Sequence, residues 1–351
     1  MVMDSEKVLL GLSGGVDSTA AALLLSENGY TVVGCFLDMM GCLSKEALKA
    51  EKLASQLGID FIYSDVSRDF EESIIDYFCS SYGKGETPNP CVFCNPQIKF
   101  ATLISEADKR GIHWISTGHY ARSDGQYIYK ADNKSKDQSY MLYRLPQQVI
   151  RRLLLPLGEI ETKDGVRQYV RAKGMYNYDN KDSQEICFIP GGSYVDFLKE
   201  RGLNCLPGRF VDTFGNDLGS HKGIVYYTIG QRKGLGLDFG RKMFVIDIEG
   251  DTNKVVLGTN EELFSRRVVV KDFVFSGFTD DYEGIVGCFD GESVKAKIRY
   301  LAMPARCILS FPGRGRLIVD FDEPQRAAAP GQSIVFYSGD RMLGGGIITR
   351  S

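Results

Sequence analysis

The feature that most constrains this chain is the sequence Ser13-Gly14-Gly15-Val16-Asp17-Ser18, which joins a predicted strand to a predicted helix. The strand is the apolar run Val8 to Leu12, and the helix runs from Val16 to Asn28 with its apolar residues on one side. Adjacent glycines let the main chain approach a ligand closely, and the N–H groups at a helix N-terminus attract anions. The sequence therefore predicts a phosphate-binding loop, with the alternative of a glycine turn that only begins a helix.

This loop differs from the two common nucleotide-binding patterns. It has neither the Gly-Lys-Ser/Thr ending of a Walker loop nor the Gly-x-Gly-x-x-Gly spacing of dinucleotide-binding folds. The serines add hydrogen-bond donors, and Asp17 is placed to orient a lysine or a magnesium ion beside the phosphates. We therefore expect a third type of phosphate loop.

The pattern of strands and helices divides the chain. Strands and helices alternate up to about residue 117, which indicates a doubly wound parallel sheet. Glycine-rich turns follow from about residue 192, and short strand-like runs separated by turn signals continue from residue 266. The 351 residues suit two or three domains. We expect a catalytic, nucleotide-binding α/β domain (1–192), a small central mixed α/β domain (193–265) and a C-terminal β-barrel (266–351).

The charge of the chain limits its partners. The formal net charge is −3, which argues against a general nucleic-acid-binding coat. Residues 144–181 nevertheless hold eight basic against four acidic side chains, and residues from 295 onward hold nine against four. These regions are either solvated surface or phosphate contacts. No run of 18 apolar residues and no signal peptide is present, so we predict a cytoplasmic protein without membrane attachment.

Nine cysteines, an odd number in a long chain, favour catalysis or metal binding over a disulfide framework. Cys91 and Cys94 stand at C-x2-C spacing in a proline-stiffened segment before a helix, and Cys187 could complete a site with them. The spacing alone leaves redox chemistry, metal binding and chance open. The others are expected to be structural: Cys35, Cys42, Cys79, Cys205, Cys288 and Cys307.

Further motifs follow in order along the chain: Thr87-Pro88-Asn89-Pro90, Cys94-Asn95, Ile98-Lys99-Phe100, Thr117-Gly118-His119-Tyr120, Lys136 to Tyr140, Ile186-Cys187-Phe188, Tyr227 to Gly236, Arg299-Tyr300 and Pro330-Gly331-Gln332. With the phosphate loop, this series resembles the tRNA-specific 2-thiouridylases, the MnmA/TrmU family of the PP-loop ATP pyrophosphatases. The resemblance spans nearly the whole chain. It implies that ATP, with Mg²⁺, adenylates the C2 oxygen of the tRNA wobble uridine, and that sulfur then replaces this oxygen as AMP and pyrophosphate are released.

The resemblance also implies roles for individual residues. Cys187 would carry the sulfur as a persulfide, Cys94 would form a disulfide with Cys187 on release, and Asp17 would act at the phosphates. The implied ATP-binding residues are Gly11, Leu12, Ser13, Gly14, Gly15, Val16, Asp17, Ser18, Leu37 and Gly118. The implied tRNA-binding residues are Asn89, Pro90, Cys91, His119, Lys136, Asp137, Gln138, Arg299, Tyr300 and Gln332. The implied partners are tRNA and a sulfur-donor protein, either a persulfide relay protein or a cysteine desulfurase, and not DNA.

One departure from the family pattern bears on the mechanism. Cys91 stands where most relatives have aspartate, so that Cys91, Cys94 and Cys187 resemble the three ligands of a 4Fe-4S cluster with one open iron. We favour the persulfide relay and keep the cluster as its alternative. Two other hypotheses stay open: a PP-loop adenylating ligase that needs neither thiol, and a tRNA-binding protein that uses the nucleotide only as a switch.

Overall fold

The computed structural model describes residues 4–41, 44–179, 186–189, 191–203, 205–236, 240–278 and 281–350. Cys42 and Lys181, which the sequence analysis considered, lie outside these ranges. The chain divides into two compact units. The first comprises residues 1–74, 91–188 and 339–343, and the second comprises residues 75–90, 189–338 and 344–351.

The first unit is built on a parallel sheet of five strands in the order β3-β2-β1-β4-β7. The strands are β1 (Asp4–Gly11), β2 (Thr31–Asp38), β3 (Asp60–Asp65), β4 (Ile112–Ser116) and β7 (Leu153–Leu154). Val8 of β1 pairs with Val32 and Trp114 on its two neighbours. Apolar runs of this kind are typical of strands covered on both faces. The predicted parallel α/β fold is confirmed.

Helices connect these strands: α1 (Val16–Glu27), α2 (Lys45–Leu57), α3 (Ser67–Phe70), α5 (Cys91–Cys94), α6 (Ala101–Lys109), α7 (Gln147–Ile150) and α8 (Lys163–Ala172). The α2 helix begins where the Ser44 hydroxyl accepts a hydrogen bond from the Ala47 amide and ends at Gly58, whose φ is +66°. Its buried residues include Ala50 and Leu53. A hairpin of β5 (Ala121–Ser123) and β6 (Ile128–Lys130) completes the unit, and its Tyr129 pairs with Arg341.

Two helical segments contain a π-helical stretch. Residues 67–83 form α3, a π-helical turn at Glu71–Ile75 and α4 (Asp76–Gly83). Residues 95–109 are π-helical at Asn95–Phe100 and continue as α6. Such stretches are rare and occur often at functional sites.

The second unit contains a four-stranded sheet and a barrel. The sheet has the order β10-β11-β8-β9, formed by β8 (Gly208–Asp212), β9 (Asp217–His221), β10 (Phe244–Glu249) and β11 (Lys254–Gly258). It buries Phe210, Val245 and Leu257 in a common core. The helix α9 (Tyr194–Glu200) precedes it. This is the small mixed α/β domain that the sequence predicts between the nucleotide-binding domain and the β-barrel.

The barrel closes six strands in the order β12-β15-β14-β13-β16-β17, because β12 also pairs with β17. Its strands are β12 (Phe264–Phe275), β13 (Ser293–Lys297), β14 (Ala305–Gly313), β15 (Arg316–Arg326), β16 (Ser333–Ser338) and β17 (Arg341–Thr349). Closure pairs strand edges that would otherwise be open. The predicted β-barrel is confirmed, with an additional helix α10 (Tyr282–Phe289) that the sequence analysis missed.

Candidate active site

The phosphate loop is closed by its own side chains. Gly14 has a φ of +77°, a conformation that favours glycine. The hydroxyls of Ser18 and Thr19 both donate to the Gly15 carbonyl, at 3.0 and 2.9 Å, and the Ser13 and Ser18 hydroxyls are 3.2 Å apart. Gly15 is the N-cap of α1 and has no side chain to cap it. These contacts shape a loop whose helix N-terminus favours an anion.

The other residues predicted to bind ATP lie at the same edge of the sheet. Gly11 ends β1, Leu37 lies near the end of β2, and Gly118 follows β4. These strands are adjacent and parallel, so their carboxyl ends meet at one edge. A Cβ atom at Gly118 would lie 3.0 Å from the Asp17 carbonyl carbon and from the Ser18 nitrogen. The structure therefore brings together the residues that the sequence predicts for ATP.

Sequence reasoning missed one residue of this loop. The Asn177 side chain is buried, and its amide nitrogen donates to the Gly14 carbonyl at 3.0 Å and to the Thr19 hydroxyl at 2.8 Å. Asn177 supports the loop from a segment that follows α8. No motif surrounds it, and its distance in sequence from Gly14 left no signal that could have found it.

The three predicted thiols all interact electrostatically with one lysine, Lys99. Cys94 is buried at the end of α5, Cys91 is half-buried at its start, and Cys187 is exposed. Burial raises the pKa of Cys94 to about 12, against the opposing charge of Lys99 and with further increases from Cys187 and Cys91. Desolvation of the Cys187 sulfur also raises its pKa, although the residue as a whole is exposed, and Lys99 again opposes the shift. The structure thus brings the three thiols into one electrostatic environment.

Lys99 is a second residue of the site to which the sequence analysis gave no role. It lies in the π-helical stretch Asn95–Phe100, where hydrogen bonds join residues five positions apart. Lys99 follows Cys94 by five positions and interacts with it electrostatically. Burial alone would lower the pKa of Lys99, but the thiolates of Cys94, Cys91 and Cys187 raise it above its ordinary value. Lys99 is therefore a cation that stabilises thiolates in this site.

The alternative mechanism requires an iron–sulfur cluster at the three thiols. Among the residues that the structure describes, no three His, Cys, Asp or Glu side chains are arranged to hold a metal ion. The structure thus shows no metal site at the thiols, and we derive no step through a 4Fe-4S cluster. Magnesium is a different case, because nucleotide-bound Mg²⁺ takes one or two carboxylates beside phosphate oxygens, and Asp17 supplies a carboxylate in the loop.

His119 lies beside Phe100 and is held as a neutral ring. It stacks on Phe100 with 6.0 Å between ring centroids, and its Nδ1 lies 2.8 Å from the Thr117 hydroxyl. Burial, aided by the charge of Lys99, lowers the pKa of His119 to about 3. At neutral pH the residue therefore offers stacking and hydrogen bonds rather than a positive charge.

In the predicted tRNA-binding segment from Lys136 to Gln138, two polar side chains form hydrogen bonds with other residues of the protein. Lys136 is half-buried. The buried Asp137 carboxylate accepts hydrogen bonds from the Ala131 amide and from the amide and hydroxyl of Ser139. The Gln138 side-chain oxygen Oε1 accepts from the Tyr120 main-chain amide at 2.9 Å. Asp137 and Gln138 thus organise their own segment, and their contact with tRNA stays a prediction.

The remaining predicted tRNA contacts belong to the second unit. The exposed Arg299 donates to the Arg326 carbonyl at 3.1 Å, and the Lys297 ammonium lies 5.6 Å from the centre of the Tyr300 ring. The Gln332 amide donates to the Thr87 carbonyl at 2.9 Å. Gln332 therefore holds the chain two residues before Asn89.

Neighbouring contacts reinforce this hold on the segment before Asn89 and Pro90. The Thr87 amide donates to the Pro330 carbonyl at 2.8 Å. Arg350 donates to the Lys84 and Gly85 carbonyls at 3.3 and 3.2 Å. Strands and loops of the second unit thus anchor the segment that the resemblance assigns to the target base.

Comparison with known proteins agrees with this architecture. A family model described as "tRNA methyl transferase HUP domain" matches residues 6–191. Models described as "tRNA methyl transferase PRC-barrel domain" and "Aminomethyltransferase beta-barrel domain" match residues 195–259 and 287–348. The fold and the phosphate loop thus define a nucleotide-binding enzyme of the HUP class with two further domains.

Curated relatives specify the family within this class. The chain is 43% identical to the tRNA-specific 2-thiouridylase MnmA of Carboxydothermus hydrogenoformans, with 99% of each chain covered. It is 42% identical to the protein of the same name from Clostridioides difficile and 43% identical to that from Clostridium perfringens, again with 99% of each chain covered. The chain belongs to the tRNA-specific 2-thiouridylase family, which is a family of sulfurtransferases. Among the described residues, no helix is long and apolar enough to cross a membrane.

Proposed function

We propose that this enzyme replaces the C2 oxygen of the tRNA wobble uridine with sulfur, using ATP and a cysteine persulfide. The observation that carries the proposal is that one compact unit holds both the phosphate loop and the pair Cys94 and Cys187. An amidating PP-loop ligase would have no use for these thiols beside a half-buried lysine. The names of the relatives support tRNA as the substrate.

In the first step, the uridine oxygen attacks the α-phosphate of ATP and pyrophosphate leaves. The N–H groups at the start of α1 and the serine hydroxyls of the loop would bind the phosphates. Mg²⁺, held by Asp17 and phosphate oxygens, would neutralise phosphate charge. The adenylated oxygen then becomes a leaving group, because it departs from C2 as part of AMP.

In the second step, the terminal sulfur of the Cys187 persulfide attacks C2 and AMP leaves with the oxygen. The Cys94 thiolate then attacks Cys187 Sγ, which breaks the bond between Cys187 and the transferred sulfur. The electron pair of that bond stays on the sulfur at C2, and a Cys94–Cys187 disulfide forms. An external thiol reductant restores both cysteines. Lys99 assists this step by stabilising the Cys94 thiolate.

Substrate delivery would depend on both partners. The wobble base has to leave its stack to expose C2, and polar and aromatic side chains of the first unit such as His119 would receive it. Asn89 and Pro90 would also contact the tRNA. Basic side chains such as Lys136 and Arg299 would contact tRNA phosphates. A persulfide relay protein or a cysteine desulfurase would supply sulfur to Cys187. A cytoplasmic location agrees with such partners and stays a prediction.

A reconstituted assay tests this function. The enzyme, a tRNA transcript, MgATP and a persulfide donor are combined, and 2-thiouridine and pyrophosphate are measured. We expect both products from the wild type and no 2-thiouridine from Cys187→Ser. The control is Cys288→Ser, an exposed cysteine of the second unit that should leave activity unchanged.

Each rival function predicts a different outcome in this assay. A ligase for small metabolites would keep its activity in both Cys94→Ser and Cys187→Ser. A nucleotide-switched tRNA-binding protein would bind tRNA and release no pyrophosphate. A Cys187→Ser enzyme that still makes 2-thiouridine would refute the sulfur-transfer mechanism proposed here.

A further inference from the structure

We infer that Tyr120 is a positioning residue that holds Asp17 of the phosphate loop and Gln138 of the predicted tRNA-binding segment in one hydrogen-bonded unit. The inference rests on the proposed function, which gives Asp17 and Gln138 their roles. Three independent contacts of the segment from Gly118 to Tyr120 carry it. All of them lie within the first unit.

The first contact joins the Tyr120 side chain to Asp17. Tyr120 is buried, with 2% of its surface exposed, and its hydroxyl donates to Asp17 Oδ1 at 2.9 Å. A buried hydroxyl that donates to a carboxylate makes a charge-assisted hydrogen bond, which is stronger than a neutral one. Removing the Tyr120 hydroxyl leaves Asp17 Oδ1 with one hydrogen bond fewer in a partly buried environment, which costs free energy. The orientation of Asp17 therefore depends on this hydroxyl.

The second contact joins the main chain of Tyr120 to Gln138. The Tyr120 amide donates to the Gln138 side-chain oxygen at 2.9 Å, and the Gln138 amide donates back to the Tyr120 carbonyl at 2.7 Å. Two reciprocal bonds fix both the backbone and the side chain of Gln138. A shift of Gln138 on RNA binding would therefore act on the main chain of Tyr120.

The third contact fixes the approach of the segment to α1. A Cβ atom at Gly118 would lie 3.0 to 3.1 Å from the main chain of Asp17 and Ser18. The chain is thus docked on the N-terminus of α1 by the main chain at residue 118 and by the hydroxyl at residue 120. Because Tyr120 makes the contacts to both Asp17 and Gln138, it links the nucleotide side of the site to the RNA side.

The test compares two tyrosines that make the same kind of bond. Tyr120→Phe removes the hydroxyl and keeps the ring. The matched control is Tyr129→Phe, because the Tyr129 hydroxyl donates to the Asp124 carboxylate at 2.8 Å in the β5–β6 hairpin and not to a residue of the phosphate loop. Pyrophosphate release that depends on tRNA is measured over ranges of ATP and tRNA concentration, and thermal midpoints are recorded for both variants.

We expect kcat of Tyr120→Phe to fall about tenfold, the size of effect that follows from losing one hydrogen bond to a charged group. The KM for tRNA should change less than about twofold, and Tyr129→Phe should match the wild type. A second variant, Gln138→Ala, tests the link. Combined with Tyr120→Phe, it should lose less than the product of the two single losses.

Three results would overturn the inference: a wild-type kcat in Tyr120→Phe, equal losses in both tyrosine variants, or fully multiplicative losses in the double variant. If the wild type releases no pyrophosphate with tRNA, the proposed function fails instead. The positioning of Asp17 is then tested by the affinity for ATP without tRNA. Weaker binding by Tyr120→Phe than by Tyr129→Phe supports it, and equal binding contradicts it.

Discussion

The phosphate loop and the thiol site lie in one compact unit but are built in different ways. The loop consists of consecutive residues, and its main chain supplies most of the expected ligand contacts. Its shape depends on local bonds such as those from Ser18 and Thr19 to the Gly15 carbonyl. The thiol site combines side chains that lie far apart in the sequence, Cys94 and Cys187, around Lys99. A site built from the main chain is local, whereas a site built from side chains depends on the whole fold.

The two regions also differ in how they respond to pH. Main-chain N–H groups do not titrate, so the loop keeps its positive potential across the physiological range. The thiols act as thiolates, and burial raises the pKa of Cys94 to about 12. The sulfur-transfer half of the reaction should therefore depend on pH more steeply than the nucleotide half. Three predictions test this contrast.

The largest expected effect separates the two regions. Asp17→Ala should abolish tRNA-dependent AMP formation, with a loss of about 100-fold or more, because a charged group at the phosphates acts most strongly in the transition state. Cys94 in this variant should still react with iodoacetamide at the wild-type rate. AMP formation is measured by chromatography and alkylation by mass spectrometry. Retained AMP formation would refute the role of Asp17.

The second prediction concerns pH at the thiol site. Only the thiolate reacts with iodoacetamide. Because the pKa of Cys94 is raised to about 12, little of its thiolate is present at pH 7. The alkylation rate of Cys94 should therefore rise about tenfold per pH unit up to a pH of about 12. Lys99 lowers the thiol pKa, and Lys99→Met should therefore raise it and slow alkylation of Cys94 severalfold at pH 8.

A surface lysine provides the control for this effect. Lys109→Met removes a lysine that pairs with Glu106 on the surface of α6 and should leave the alkylation rate unchanged. Faster alkylation in Lys99→Met, or the same slowing in Lys109→Met, would contradict the assigned electrostatics.

The smallest expected effect concerns the fit of the main chain at the loop. Gly118→Ala places a Cβ atom 3.0 Å from the Asp17 and Ser18 main chain, so one side must shift. We expect ATP affinity to fall about threefold to tenfold, which corresponds to the roughly 1 kcal/mol typical of mild overpacking. Calorimetric titration with ATP measures this change.

Gly287→Ala is the matched control, because among the described residues no atom outside the neighbouring chain of α10 lies within 4 Å of a Cβ built at Gly287. Its ATP affinity should equal that of the wild type. If Gly118→Ala bound ATP with the wild-type affinity, the main chain at residue 118 and α1 would have adjusted to the added methyl group without loss of ATP affinity, which would contradict the expected overpacking.

Sequence patterns predict well what depends on neighbouring residues. The strand, glycine turn and helix at Ser13 to Ser18 are all local, and the alternation that follows indicates the parallel sheet. The helix α10 was missed because Gly284 and Gly287 weaken its helical pattern. In the structure, the Asp281 carboxylate caps this helix by accepting from the Gly284 amide at 2.9 Å.

Contacts between distant segments explain what the sequence could not predict in the site. Asn177 supports the phosphate loop from a segment far along the chain. Lys99 interacts electrostatically with the thiols and lies in a π-helical stretch, which helix propensity does not distinguish from an α-helix. Gln332 was predicted to contact tRNA, and its observed bond to Thr87 depends on how the chain folds within the second unit.

The central claim is that Cys94 and Cys187 transfer sulfur as a thiol pair. The most direct test purifies the wild type and Cys91→Ala without oxygen and measures iron, acid-labile sulfide and thiolation of tRNA from a persulfide donor. We predict that iron-free wild type forms 2-thiouridine and that Cys91→Ala does so at a similar rate. Thiolation that requires a near-stoichiometric iron–sulfur cluster, lost together with activity in Cys91→Ala, would contradict this account.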